Sequence, residues 1–308
     1  MGLFRRRTGE SRAAENERVE RQAADIARIT AGGIPQTAEE RLRRLGAGGG
    51  AAFTSDLSVP EFALVRRHGL DPLTQVMGTS MYHVGWQAAN RGFFGATSQE
   101  LRTLSDAYNE CRRRALARLR QEADLAGADG VVGVRITTAR YDWGSDLVEF
   151  QAIGTAVRGA SLRGPGGDAA LTNLSGQDVA LLLDSGHRPV GVVGATSVFY
   201  GQLYTWGQPM PRRGWGGLAN VEMTGATETW YRARHRVLSG LEAEAVALGA
   251  TGIIGTGWGQ EERPYEANDQ VVGVTYTIHA LATGIAASAR PHHAEPLTVL
   301  SLSRGAVQ

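Results

Sequence analysis

The sequence predicts an α+β protein built as two tandem two-layer α/β units, each a short helix plus a long helix packed on a small antiparallel sheet. Three observations predict it: the chain contains itself twice, both copies alternate helical and strand periodicity in one order, and glycines punctuate them at matching places. "LSVPEFALVRRHGLDPLTQVMGTS" (57–80) lies over "LSGQDVALLLDSGHRPVGVVGATS" (174–197) without a gap. Leu57/Leu174, Ala63/Ala180, Gly69/Gly186, Pro72/Pro189, Thr79/Thr196 and Ser80/Ser197 are identical. "RRRALARLRQEADLAGADGVVG" (112–133) lies over "RHRVLSGLEAEAVALGATGIIG" (234–255), sharing Arg112/Arg234, Arg114/Arg236, Glu122/Glu244 and the glycines at 127, 130 and 133. A third block sets "EFQAIGTAV" on "TIHALATGI", through Thr155/Thr283 and Val157/Ile285.

Each copy opens with a short helix. Ser58 and Ser175 are its N-caps, with Glu61 or Asp178 three residues on; only Glu61 completes a strict capping box. Gly69 or Gly186 stops the helix, and Pro72 or Pro189 follows. A strand comes next, "LTQVMGTSMYHV" or "VGVVGATSVFY". The long helix carries an apolar stripe at three- and four-residue steps: Leu101, Leu104, Tyr108, Cys111, Ala115 and Leu119 in one copy, and Trp230, Val237, Leu241 and Leu248 in the other. Two strands close the unit, "GVVGVRITT" with "LVEFQAIGTAV", and "GIIGTGW" with "VVGVTYTIHALATGI". The polar stretches "ARYDWGSD" and "GQEERPYEANDQ" read as hairpin loops. These boundaries give an Arg/Glu-rich N-terminal arm, helical or flexible (1–50), a first unit (51–158), a Gly-rich flexible linker (159–172), a second unit (173–287) and a tail (288–308). In the tail, "PLTVLSLS" reads as an added edge strand.

Composition narrows the function. At 308 residues, 42% hydrophobic and 20% charged, the chain has ample core for two units and reads as soluble, with cytoplasm as the expected location. No apolar stretch reaches the roughly 20 residues that span a bilayer, and no apolar segment follows the N-terminal arginines as a secretory signal needs. The net charge of +1 gives no field for nucleic acid. One cysteine, Cys111, excludes a disulfide framework within the chain, and its place in the helical stripe predicts a buried, inert thiol. Every basic side chain is arginine, so lysine leaves every catalytic scheme.

"LAGADGVVGVRI" looks at first like a phosphate loop. A dinucleotide loop runs strand, glycines, helix, so that a helix N-terminus faces the phosphates. Here the long helix precedes the glycines, and its C-terminal dipole repels an anion. Gly127 therefore reads as a left-handed helix stop, with Gly130 and Gly133 allowing close strand packing. No G-x-S-x-G elbow is present, and no nucleophile, base and orienting group share a neighbourhood, so a non-enzymatic protein is expected.

What remains are polar residues that both copies share. Thr79 and Ser80 on the first strand, shared as Thr196 and Ser197 on its counterpart, are candidate ligand-binding residues together with the unshared Tyr82, His83 and Tyr200, which replaces His83 in the second copy, although hydroxyls in a strand more often bond neighbouring backbone. Arg112, Arg114 and Glu122, with Arg234, Arg236 and Glu244, are candidate interface residues, forming ion pairs between subunits. His292 and His293 adjoin in the tail, and a lone strand histidine such as His83 is more often structural than a metal ligand. The tryptophans Trp86, Trp143, Trp206 and Trp215 fall in predicted loops and point to interface or ligand contact, interface being the more frequent use.

The serine-capped helix, the G-x-x-P, the strand ending "GTSMYHVG", and the long helix running into "GADGVVGV" with a closing "AIGTAV" strand together resemble the YbjQ-like family of heavy-metal-binding domains. The resemblance covers about residues 55–158, with a more divergent copy over about 173–286. It implies a dodecin-like two-layer unit that assembles into a ring, typically pentameric, so the expected partner is the chain itself. It also implies a divalent or heavy metal, but this sequence lacks Cys/His clustering, and no metal ligand is carried over. The resulting expectation is a ring-forming oligomeric binding or scaffold protein, with a metal-ion or small-ligand site between subunits as the alternative, and an unidentified protein partner for the N-terminal arm.

Overall fold

The computed structural model describes residues 3–46, 53–83, 98–140, 147–164, 166–202, 222–267 and 270–288. An N-terminal arm holds α1 (Leu3–Thr30) and α2 (Gln36–Gly46). The first unit follows as α3 (Val59–Arg67), β1 (Asp71–His83), β2 (Ser98–Glu100), α4 (Arg102–Leu125), β3 (Gly130–Arg140) and β4 (Leu147–Arg158). After β5 (Ala170–Leu171), the second unit runs α5 (Gly176–Asp184), β6 (His187–Gln202), α6 (Thr224–Ala247), β7 (Gly252–Ala267) and β8 (Gln270–Ala287). Two four-stranded sheets result, ordered β1-β4-β3-β5 and β2-β6-β8-β7. The architecture is α+β, and each sheet carries one helix of 24 residues.

Local chemistry explains the recurring elements. The Glu61 carboxylate accepts the Ser58 N–H at 2.8 Å and its hydroxyl at 2.5 Å, and these bonds hold the Glu61 carboxyl below its usual range. In α5 the Ser175 hydroxyl accepts the Asp178 N–H at 3.1 Å. Gly127 (φ 71°) and Gly249 (φ 68°) are the left-handed residues that stop the two long helices. Gly133 (φ 67°) and Gly255 (φ 64°) sit where the ladders to β4 and β8 shift register. Gly133 is thus a bulge residue and not the close-packing residue expected, since a Cβ there would meet nothing within 4 Å. Gly130 does serve close packing, because a Cβ would stand 2.8 Å from that of Leu162.

Both units are tied at one further matching place. The Thr155 hydroxyl on β4 donates to Asp56 Oδ1 (2.5 Å), and Ser55 Oγ accepts the Leu57 N–H (3.0 Å). On β8 the Thr283 hydroxyl donates to Asn173 Oδ1 (2.5 Å), and Thr172 Oγ1 accepts the Leu174 N–H (3.1 Å). Both threonines are fully buried, so these bonds satisfy groups that would otherwise be costly.

Three expectations need correction. The segment 159–172 is not a free linker: Leu162, Ala169, Ala170 and Leu171 are buried, and β5 pairs in parallel with β3. Apolar residues among its glycines give it surface to bury. Most of the stretch expected as the second hairpin loop is strand, because β7 continues to Ala267, and residues 268–269 lie outside the described residues. Its half-buried Glu261 and exposed Glu262 and Arg263 do not alternate with apolar residues, as suits a charged edge strand. Finally β2, read from the sequence as part of no strand, belongs to the sheet of the other unit. The expected tail strand, His292 and His293 lie outside the described residues, as do Trp86, Trp143, Trp206 and Trp215.

The long-helix stripes bury along most of their length, but Leu248, expected in the second stripe, is 36% exposed just past the end of α6. Tyr108, Cys111, Ala115 and Leu119 pack on Val76, Phe150 and Ala152, while Val237 and Leu241 pack on Val193, Phe199 and Ile278. Burial pushes the Cys111 thiol up, and it donates to the Ser80 carbonyl at 3.1 Å. A third cluster, including Val65, Leu70, Val179 and Leu183, joins the two short helices. Among the described residues, no helix is long and apolar enough to cross a membrane.

Candidate functional site

The two units meet where α4 runs along the open edge of β6. Glu100, at the end of β2, pairs with Phe199 on that edge, and the chain then turns into α4, whose side chains continue the seal. The Leu101 N–H reaches the Val198 carbonyl at 2.8 Å, and Ser105 Oγ accepts the Val198 N–H at 2.9 Å. Asn109 then serves both groups of Thr196, accepting its N–H at 2.9 Å and donating to its carbonyl at 2.8 Å. Glu244 of α6 accepts the next N–H, that of Gly194, at 2.9 Å. Arg112 of α4 closes the row, gripping the Glu244 carboxylate with two nitrogens at 2.7 and 3.2 Å. Every one of these backbone groups on an exposed edge would otherwise be open to pairing with another chain.

The junction is also apolar. Val192 and Val198 of β6 join the core cluster of Tyr108, Ala115 and Leu116, with Leu281 and Ile136 packed against it. At its rim Arg236 meets Glu100 at 3.3 Å, and Arg232 donates to the Ser98 carbonyl at 3.2 Å. The Arg112 side chain is 4% exposed and that of Glu244 31%, so the pair is largely desolvated on the arginine side.

β1 repeats this edge in the first unit, with a different occupant. Glu122 accepts the Met77 N–H at 2.9 Å, as Glu244 accepts that of Gly194. Its arginine partner is Arg41 of α2, at 3.1 Å. Burial pushes the Glu122 carboxyl above its usual range, against the opposing pull of the Met77 N–H and Arg41. Arg118 donates to the Thr79 carbonyl at 2.6 Å and also holds the arm through the carbonyls of Ile29 and Gly33. Leu42 of α2 is fully buried and anchors the arm in the core. The arm therefore supplies Glu122 with the kind of contact that α4 supplies to Glu244.

The shared polar residues have separate placements. Arg112 with Glu244 and Arg236 with Glu100 bridge the two units within one chain. Arg114 pairs with Glu110 of its own helix and lies over the Tyr82 ring at 5.8 Å. Arg234 is exposed, 5.9 Å above the Trp230 ring. The ligand candidates do not converge: Thr79, Ser80, Tyr82 and His83 belong to β1, and Thr196, Ser197 and Tyr200 to β6, in different sheets. The Ser197 hydroxyl donates to the Ala233 carbonyl at 2.9 Å, a bond from strand to helix. His83 is exposed at the end of β1.

Thr196 lines a cleft of about 440 Å³ shared with Ile136, Phe150, Trp258 and His279. Burial holds the His279 imidazole below its ordinary pKa. The metal expectation meets no donor set here: among the described residues, no three His, Cys, Asp or Glu side chains gather to hold an ion. The sequence reading missed Ser105, Asn109, Arg118 and Arg41. The available signal was the polar pair Ser105 and Asn109, one helical turn apart beside the apolar stripe.

Comparison with known proteins places the chain. Residues 71–160, essentially the first unit, match the YbjQ family model described as "Putative heavy-metal-binding". A Mycobacterium tuberculosis protein named Encapsulin nanocompartment protein Rv1762c is 40% identical over 208 residues, which cover 66% of this chain and 76% of that protein. The UPF0145 protein NP_2600A of Natronomonas pharaonis is 41% identical over 63 residues, 20% of this chain and 58% of that protein. A UPF0145 protein of Mycobacteroides abscessus is 40% identical over 75 residues, 24% of this chain and 67% of that protein. No solved structure matches at a significant level. From the first unit's match and the extent of the mycobacterial similarity, the chain belongs to the YbjQ-like family.

Proposed function

We propose that this protein is a non-enzymatic, ring-forming homo-oligomer of the cytoplasm, a binding or scaffold component associated with an encapsulin nanocompartment. Its two units are tandem YbjQ-like copies, the second diverged. Matching bulges, helix stops and threonine clamps in the two units support a common origin. The observation that carries the reading is the junction, where one unit seals the sheet edge of another through polar side chains on a helix. Such a surface is built for unit-to-unit contact. The nanocompartment enters from the name of the mycobacterial relative. Native mass measurement tests assembly: the expected result at micromolar concentration is a multiple of the 32.8 kDa chain, and a monomer would sink the reading.

The cleft of about 440 Å³ supports a second reading, binding of a small, largely apolar or aromatic ligand between units. Phe150 and Trp258 supply flat apolar walls, and His279 stands among polar lining groups that include Arg135, Asn173 and Thr196. Gentle native mass spectrometry of freshly purified protein is expected to find an organic adduct that His279→Leu loses. Bare chain in every preparation would count decisively against it.

A further inference from the structure

The internal junction has two halves, and each half recurs once more on the chain without its counterpart. On the receiving side stand Gly194, Thr196 and Val198 of β6, Leu281 of β8 and Glu244 of α6. The same alignment that relates the units sets these over Met77, Thr79 and Met81 of β1, Ile153 of β4 and Glu122 of α4. On the docking side stand Asn109 and Arg112 of α4 and Ile136 of β3, which correspond to Tyr231 and Arg234 of α6 and Trp258 of β7. Within the chain, the first docking side covers the second receiving side. Of the remaining two surfaces, the docking side faces outward, and the receiving side does so at Met77 and Met81, while the N-terminal arm covers Glu122 through Arg41.

Their exposure is large for their chemistry. On the receiving side Met77 is 43% exposed and Met81 58%; on the docking side Tyr231 is 60% exposed and Trp258 45%. Charge is complementary as well, since Arg234 has no carboxylate partner among the described residues and Glu122 is the counterpart of the carboxylate that Arg112 grips. We infer that a second copy of this chain lays the α6–β7 surface carrying Tyr231, Arg234 and Trp258 on the outer face of the β1–β4 sheet of the first copy, at Met77, Met81, Ile153 and Glu122. The inference rests on the self-assembly proposed above and specifies its surface.

One substitution between the units fits this contact. Arg118 stands where the second unit has Gly240, and it already satisfies the Thr79 carbonyl. At the internal junction a side-chain amide, Asn109, serves both the N–H and the carbonyl of Thr196. The second contact needs only an acceptor for the Thr79 N–H, which the Tyr231 hydroxyl supplies. Arg41, with a side chain 44% exposed, holds Glu122 through a single nitrogen at 3.1 Å, so it either shares the carboxylate or yields it to Arg234. Because the two surfaces differ, the contact is heterologous. Each copy gives one and takes one, which closes into a ring when the rotation allows.

The test uses the full chain. Arg234→Glu reverses a charge at an exposed position and is expected to weaken self-association at least tenfold by sedimentation equilibrium, with an unchanged far-UV circular dichroism spectrum showing that the fold is intact. A Thr227→Cys, Met81→Cys double variant is expected to form a ladder of disulfide-linked chains on mild oxidation, since Thr227 corresponds to Ser105, which bonds the residue matching Met81. The buried Cys111 provides the single-cysteine control. An oligomer whose mass survives Arg234→Glu, and whose double-cysteine variant gives no ladder, overturns this docking and leaves self-assembly standing. A monomeric wild-type chain overturns both.

Discussion

Arg112→Met is expected to destabilise the second unit by about 3 kcal/mol and to lower the melting temperature by roughly 5–10 °C. Methionine keeps the apolar length of the side chain but removes both bonds to Glu244 and the Nη2 bond to Asn109 at 3.3 Å. Breaking a buried pair costs about 3–5 kcal/mol because the surviving charge is stranded, and the lower end applies since the Glu244 side chain is 31% exposed. Arg41→Met removes the corresponding partner of Glu122 but starts from an exposed arginine, so about 0.5–1 kcal/mol is expected. Urea melts followed by tryptophan fluorescence read both variants. Equal effects would mean that the internal junction carries no special share of stability.

Gly78→Ala is expected to cost at least about 3 kcal/mol, at or beyond the upper range for overpacking. A Cβ there would stand 2.0 Å from the Ala115 carbonyl oxygen and 2.5 Å from the Leu119 nitrogen, both helix backbone that cannot rotate away. Gly69→Ala is the control: its φ is +72° with nothing within 4 Å, so only backbone strain of about 1 kcal/mol applies. The second unit reaches the same closeness differently, with Ala195 on the strand and Gly240 on the helix, 2.7 Å between the added Cβ and that of Ala195. Thermal melts of Gly78→Ala, Gly69→Ala and Gly240→Ala should rank Gly78 worst. A mild Gly78→Ala would mean that α4 does not ride on β1 at this spot.

Local signals carried most of the fold into the sequence. Helix stops at Gly127 and Gly249, the caps at Ser58 and Ser175 and the stripe from Tyr108 to Leu119 each depend on neighbours within a few turns, and each is present. What escaped depends on register across the chain. β2 spans only Ser98–Glu100 and pairs with a strand about a hundred residues away, which no short window reveals. β7 lacks alternation because both its faces meet water over much of its length. The site was half legible. Shared identity singled out Arg112 and Arg114 equally, yet one crosses to Glu244 and the other stays on its own helix with Glu110. Which arginine crosses is decided by the helix face turned to β6, and Ser105 and Asn109 mark that face.

The crossing of β2 also bears on how the chain matures. Residues 98–100 leave the ribosome long before β6, so the first unit emerges carrying an edge segment whose partner has not yet been synthesised. β5 likewise completes the first sheet only once residues 170–171 are out. Long-range pairing of this kind is slow, since chain closure precedes the contacts that reward it. The α4 surface that will seal β6 therefore spends the interval bare, exposed to other nascent copies. Crossed pairing between neighbouring chains on one messenger is the characteristic error such a topology invites.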